Sequence, residues 1–384
     1  MEQVIEQVTR AIFVGNTAPW HLIADQEKFL SEVDFHGIGP LLVYKMESLL
    51  HPTRISEHVS DALQAMARHQ FIEDTLVEAE LIRVVHFLDK AGVRTLVMKG
   101  SALSTSIYPR LGLRPRGDTD ILIPASENIQ VVKTMWQLGY LLSPVTSGDA
   151  VNSARIFSKA GPPRSTFVFD VHVELSSYKH RFSDEMQFEK LWASSIEIGS
   201  SAVRTISRHD ALLLACFHRA VHFSHTGERL IWLYDVHLLI QSMETAEIDF
   251  VVSSAERLHI RSLLLDALRQ SRYWFGTKVD LHRFDSGLSK EDIELSEVLL
   301  CSHKNRGIRL KTLHEVSHLG SWRDKFYYLG HRAFPPVEYM LDLYDTNRKW
   351  TLPFLYLRRF LKGLSIFLVP DGRADGRGRS KNSP

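Results

Sequence analysis

Apolar side chains recur three and four positions apart through most of the first 90 residues. From Ser56 onward Val59, Leu63, Met66, Val77, Leu81, Val84, Val85 and Leu88 form a stripe that predicts a helix, with Gly92 as its stop. The pattern changes at Val93. Arg94–Met98 is a short apolar run flanked by glycines, which predicts a buried strand, and residues 101–108 predict a small helix. A loop rich in Gly, Pro and Arg covers 109–117. Asp118–Ile123 reads as a second strand closed by Pro124, and 125–138 returns to helical spacing through Ile129, Val132, Met135 and Trp136. Ser153–Lys159 and Ser165–Glu174 read as a hairpin around Gly161-Pro-Pro-Arg. From His209 the periodicity is helical again, and no internal repeat is visible. The expected architecture is therefore α+β: a mixed α/β core at 91–178 between helical regions at 1–90 and 179–370. A polar, Gly-rich tail at 371–384 is expected to be disordered.

Composition narrows this picture. Of 384 residues 44% are hydrophobic and 24% charged, a balance that supports packed cores over most of the length. A net charge of +1 excludes a protein whose whole surface coats nucleic acid or anionic membrane, so any such contact must be local. Cys216 and Cys301 cannot build a disulfide framework, and they read as two buried thiols in a reducing compartment. The opening Met-Glu-Gln-Val-Ile-Glu-Gln resembles no signal peptide, and no window supplies the ~18–20 apolar residues that span a bilayer. A cytoplasmic protein without a membrane span is expected. The nearest approach to a span, 353–369, is interrupted by Arg358, Arg359 and Lys362. It reads as a docked C-terminal helix, with a surface-lying basic helix as the alternative. The seven tryptophans and the Phe/Tyr stripes of the C-terminal half read as packing residues.

Candidate chemistry gathers in the central module. Lys99-Gly100-Ser101 stands where a strand meets a short helix. Glycine lets a ligand approach the backbone, and the first amides of a helix lack internal partners, so the junction suits an anion. By itself such a turn is more often a plain helix cap. Asp118-Thr119-Asp120 begins a strand, and alternation puts both carboxylates on one side. Two such acids can share divalent cations, although an isolated pair is more often a solvated strand end. A later strand carries Asp170, His172 and Glu174 on one face against Phe169, Val171 and Val173 on the other. A third acid opposite an Asp pair is what in-line phosphoryl chemistry needs: two metals to steady the attacking and leaving oxygens, and a carboxylate to take a proton.

With those residues in hand, Leu96-Val-Met-Lys-Gly-Ser-Ala-Leu103 and Gly112-Leu-Arg-Pro-Arg-Gly-Asp-Thr-Asp-Ile-Leu-Ile123 resemble the uncharacterised nucleotidyltransferase family of the DNA polymerase beta-like superfamily. Gly100 and Ser101 match its turn, Asp118 and Asp120 its metal-binding pair, and Asp170 its third acid. The stretches Leu214–His222 and Arg229–Asp235 resemble its helical segment, so the likeness runs from about Glu78 to Ile240. Two departures stand out. Sixteen residues separate Ser101 from Asp118, more than is usual, and Thr119 sits where an apolar residue is commoner. The resemblance implies a polymerase-beta-like core with a small mixed sheet that moves an NMP, with AMP a candidate, from an NTP to an acceptor as pyrophosphate leaves. It further implies Mg²⁺ (or Mn²⁺), in a two-metal site, on Asp118, Asp120 and Asp170, with triphosphate held by Gly100 and Ser101. Lys99 and the loop arginines Arg110, Arg114 and above all Arg116 would offset phosphate charge.

Other signals weigh less. His218 and His222 lie one helical turn apart, but Arg219 stands where a zincin needs Glu and no cysteine cluster completes a zinc site. They read as core or cleft histidines facing the acceptor, and His172 as a structural or substrate-touching histidine. The competing readings are a glycosyltransferase built on Asp-x-Asp and a non-catalytic, antitoxin-like module that binds nucleotide or a partner. The acceptor, whether small molecule, peptide, protein or RNA, has no signature in the chain.

Overall fold

The computed structural model describes residues 2–16, 18–47, 55–143, 154–162, 165–175, 185–199, 203–285, 287–301, 310, 312–314, 316–317, 321–344, 346 and 348–368. The tail at 371–384 lies outside them. Helices α1 (Glu2–Val14), α2 (Gln26–His36) and α3 (Gly39–Glu47) lead into α4 (Glu57–Lys90), 34 residues long. Ser56 caps α4, its hydroxyl accepting from the Val59 amide, and the stripe from Val59 to Leu88 is its buried face.

After α4 come β1 (Leu96–Val97), α5 (Lys99–Ser106), β2 (Thr119–Leu122), α6 (Asn128–Gln137) and β3 (Leu141–Leu142). The hairpin follows as β4 (Ala154–Ala160) and β5 (Thr166–His172), then α7 (Phe188–Ala193), β6 (Ile196–Ile198) and β7 (Val203–Thr205). These strands form one seven-stranded mixed sheet in the order β3-β4-β5-β2-β1-β7-β6. The pairs β2/β5 and β1/β7 are parallel and the rest antiparallel. Strands β3, β6 and β7 were not expected. At two or three residues each, they are too short to show an alternation.

Alternation divides the sheet into two faces. Ile121, Phe157, Phe169 and Val171 pack with Leu81 and Val84 of α4 and Val131 and Met135 of α6. Leu96, Met98 and Leu122 belong to a second core on the other side, shared by helices from both ends of the chain. The helices that follow are α8 (Arg208–Thr226), α9 (Leu230–Gln241), α10 (Thr245–Arg257), α11 (Arg261–Phe275), α12 (His282–Asp285) and α13 (Lys290–Leu299). Phe13 of α1 sits between Tyr234 and Phe275, at 5.2 and 4.8 Å between ring centroids, and joins the N-terminal helices to α9 and α11. Burial of each such ring contributes roughly 2–3 kcal/mol. Asp120 and Asp170 alternate with the apolar residues of the first face, so they point to the second side, where α8 and α9 stand over the sheet.

The last helices, α14 (Trp322–Ala333), α15 (Val337–Leu343) and α16 (Leu352–Leu368), pack on one another. Two expectations change here. Trp322 and Trp350, like Trp136 on α6, are exposed rather than packed, and α16 docks by one side while Phe354, Leu357, Phe360 and Leu361 face outward. Helical spacing shows which residues share a face but not which face finds a neighbour. Cys216 is buried as expected, whereas Cys301 is only half-buried.

Candidate active site

The site begins where β1 turns into α5 with no intervening loop. Met98 is the N-cap, and its amide donates to the Asp120 carbonyl (2.9 Å), which fastens the turn to β2. Lys99 then takes a left-handed backbone (φ +51°), a conformation that costs an ordinary residue roughly 1–2 kcal/mol. Its side chain offsets that cost: the ammonium lies 2.5 Å from Asp120 Oδ1. Gly100 is needed for a different reason. A Cβ there would stand 2.7 Å from Arg114 Nη1, so glycine is what lets the guanidinium lie against the backbone. Ser101 is inside α5 rather than capping it, and its hydroxyl donates to the Asp118 carbonyl (3.2 Å).

That last bond answers the question raised by the long loop: despite sixteen intervening residues, Ser101 and Asp118 touch. The loop is tied at four points. Gly112, at φ +82° and with room for no side chain beside Phe71, donates its amide to Asp74 on α4 (3.0 Å). Arg110 pairs with Glu47. Arg114 forms a buried two-pronged pair with Asp235 of α9 (2.7 and 3.2 Å), and Tyr108 donates to the same carboxylate (2.7 Å). Arg116 pairs with Asp74 (3.2 Å) and Glu78 (3.5 Å) and donates to the Ser101 carbonyl (3.2 Å). The loop arginines, expected beside phosphate, thus have their charges matched by acids of the protein. Arg114 and Arg116 still line the cleft wall, but the cation that meets the carboxylates there is Lys99.

The acids converge through strand register. β2 and β5 run parallel with Asp120 opposite Asp170 and Leu122 opposite His172. His172 Nε2 is 2.9 Å from the Asp120 Oδ1 that Lys99 also reaches, and 3.8 Å from Asp170 Oδ2. Burial would raise the Asp120 carboxyl, but Lys99 and His172 outweigh it and hold the group far below the usual carboxylate range. Asp118 goes the other way: desolvation by the cleft walls, then the charges of Asp120 and Asp170, push it up to about 6. Asp170 is also raised, first by burial.

Among the described residues, Asp120, Asp170 and His172 bring ligand atoms within 4.8 Å of one another. Asp170 Oδ1 is buried with no hydrogen-bond partner. An orphaned carboxylate oxygen in a cluster of hard oxygen donors is what a divalent cation satisfies, so the residues fit Mg²⁺, and the imidazole suits Mn²⁺ as well.

Lys99, Asp118, Asp120 and Asp170 line one wall of a cleft of about 590 Å³. The opposite wall carries His218 and His222 of α8, with rings 4.4 Å apart, and Trp232 against both at 5.4 and 5.8 Å. Burial, and then the charge of Lys99, push the His218 imidazole well below its ordinary range, which leaves it neutral. Among further residues of the cleft, Asp34 of α2 carried no sequence signal, while Arg229, which donates to the Phe35 carbonyl (2.9 Å), and Trp232 lie in the stretch that resembled the family's helical segment without a role of their own. Asp235, in the same stretch, gave no sign of being the anchor of Arg114, its partner being 121 positions away in the chain.

No curated protein matches the chain. The solution structure of the antibiotic-resistance factor ANT(2'')-Ia aligns over 51% of this chain and 98% of its own, at 14% identity and a TM-score of 0.36. The crystal structure of an antigenic nucleotidyltransferase-like protein from Paracoccidioides brasiliensis aligns over 50% and 92%, at 11% identity and a TM-score of 0.34. The model of one family, described as uncharacterised nucleotidyltransferase, matches residues 24–276, a span that takes in α2, the whole sheet and both walls of the cleft, and the chain belongs to that family.

Proposed function

We propose that the protein transfers a nucleoside monophosphate, with AMP a candidate, from an NTP to an acceptor hydroxyl while pyrophosphate leaves. The observation that carries this reading is the β2/β5 register, which sets Asp120 opposite Asp170 with Asp118 close enough to feel both charges. Asp118, Asp120 and Asp170 would hold Mg²⁺ or Mn²⁺. When bound, the metal supplies Lewis-acid stabilisation of charge on the phosphoryl oxygens.

The remaining work falls to the chain itself. The acceptor oxygen bonds to the α-phosphorus, the bond to the bridging oxygen breaks, and pyrophosphate departs with that electron pair. Asp170 takes the acceptor's proton, the general-base role open to a carboxylate beside the reacting hydroxyl. The amides of Gly100 and Ser101, at the start of α5, face an anion such as triphosphate. Lys99 and His172 both reach Asp120 Oδ1, so they would compete with a metal held by Asp120. A Lys99 ammonium released from that oxygen would have phosphate as its natural counter-charge. His218, His222 and Trp232 offer an aromatic wall to the nucleobase or the acceptor.

The cleft volume is in the range of a site for a nucleotide-sized ligand. The acceptor is a small molecule, peptide, protein or RNA, and a cytoplasmic setting would supply NTP. The test is incubation of cell extract with the protein, Mg²⁺ and each NTP in turn, followed by mass spectrometry for a nucleotidyl increment and an assay for pyrophosphate. Asp120→Ala should abolish both signals. Transfer retained by that variant would sink the assignment.

A further inference from the structure

Helix α16 presents a surface that the proposed chemistry does not use. Its inner side is set by Tyr356, whose hydroxyl donates to the Pro335 carbonyl (2.6 Å), and by Arg359, which donates to the Arg332 carbonyl (3.3 Å). At 100° per residue, Phe354, Leu357, Phe360 and Leu361 share the outward arc, with Arg358 and Lys362 along one border. Phe354 is 68% exposed and Leu361 54%. Just before the helix, Trp350 is 68% exposed, and on the neighbouring α14 Trp322 and Phe326 are 75% and 71% exposed. Large apolar side chains this open, and this concentrated, mark a contact surface rather than an ordinary exterior.

Charge indicates what the surface meets. From Thr346 to Pro384 the chain carries nine Lys or Arg against two Asp or Glu, and α16 contains no acid. The first 345 residues hold 37 basic against 43 acidic side chains, so the overall net charge of +1 hides a strongly basic end on an acidic body. An apolar helical face bordered by cations is complementary to a bilayer surface bearing negative headgroups: the rings and leucines enter the acyl boundary while the cations remain among the phosphates. No helix of the described residues is long and apolar enough to cross a membrane, so the helix would lie in the plane of the surface.

We propose that the outward face of α16, with Trp350 beside it, docks the protein on an anionic lipid bilayer. Single-stranded RNA fits less well, because Leu357 and Leu361 at the centre of the arc give a base nothing to stack on. A twofold contact between two copies fits less well too. It would bring Arg358 and Lys362 near their own counterparts with no acid on the helix to answer them.

The experiment is sedimentation of the full chain with vesicles of phosphatidylcholine alone or with phosphatidylserine added, with tryptophan emission read in parallel. Binding should be at least about tenfold tighter to the anionic vesicles, accompanied by a blue shift, and should weaken as salt shortens the screening length. Leu357→Asp together with Leu361→Asp should abolish binding. Arg358→Glu with Lys362→Glu should remove the preference for anionic lipid. Both pairs of changes are at exposed positions, so an unaltered melting temperature verifies the fold. Equal or absent binding to the two vesicle types overturns the proposal. So does binding to a single-stranded RNA oligonucleotide in place of vesicles, or a concentration-dependent dimer that Leu357→Asp with Leu361→Asp dissociates.

Discussion

Two acidic clusters lie on opposite faces of the same sheet, and burial has different consequences in each. On the α4 side, Glu80 receives two bonds from Arg83 (2.6 and 2.7 Å), one from Tyr140 (2.8 Å) and one from Lys159 (3.3 Å). Burial pushes its carboxyl up, but these partners prevail and lower it to about 2. On the cleft side, Lys99 and His172 both go to Asp120, and Asp118, beside two other carboxylates, stays raised at about 6. The first cluster is satisfied from within the chain. The second is left short of positive charge, and that shortage is what an incoming cation would relieve. Matched burial stabilises a fold, whereas unmatched burial prepares a site.

The comparison can be broken most directly at Asp170. Asp170→Asn should reduce nucleotidyl transfer at least about 10³-fold, since metal-assisted stabilisation is worth several kcal/mol. The melting temperature of the metal-free protein should hold or rise, because one of several crowded negative charges is gone. A marked fall in melting temperature would show that the two clusters are alike after all.

Glu80→Gln should do the opposite, destabilising the fold by about 2 kcal/mol through weakened charged hydrogen bonds while the folded fraction transfers at the original rate. Denaturant unfolding and a rate per folded molecule separate the two effects. Acid sharpens the same contrast. Glu80 has a folded value of about 2 against 4.5 for the free side chain, so its contribution is fully present above 4.5 and is lost as pH falls towards 2. Between pH 5 and pH 3 the wild-type protein should therefore lose more stability than Glu80→Gln does.

A smaller effect is expected at Lys99. Lys99→Met removes a cation competing for Asp120 Oδ1, and should tighten Mn²⁺ binding to the nucleotide-free protein a few-fold, by roughly 1 kcal/mol. Calorimetry without nucleotide reads this directly. Unchanged or weaker affinity would mean that Lys99 supports the site rather than standing in for the metal.

Much of this was legible in the residues, and what was hidden shares one cause. The α4 stripe, the turn at Lys99-Gly100 and the alternation around Asp120 and Asp170 are local patterns, and the elements they predicted are present. The pairing of β2 with β5 is not local. Neither are Asp74 and Asp235, which hold the 109–117 loop from residues far away in the chain and give Arg116 and Arg114 partners other than phosphate. Strands β3, β6 and β7 escaped notice because two or three residues carry no period. The C-terminal helix could be read in two ways, docked or surface-lying, and the structure has it docked on one side and open on the other.

By itself, then, the sequence determined which residues can form helices and strands, and which acids share a side of a strand, because backbone geometry makes those relations repeat at fixed spacing. Tertiary structure alone decided that Asp120 stands opposite Asp170, that the 109–117 loop brings Asp118 back to Ser101, and that α16 keeps an apolar face uncovered. Each of those depends on burial and charge pairing between segments distant in the chain, and the strength of such contacts is set by what surrounds them in space rather than by their neighbours in sequence.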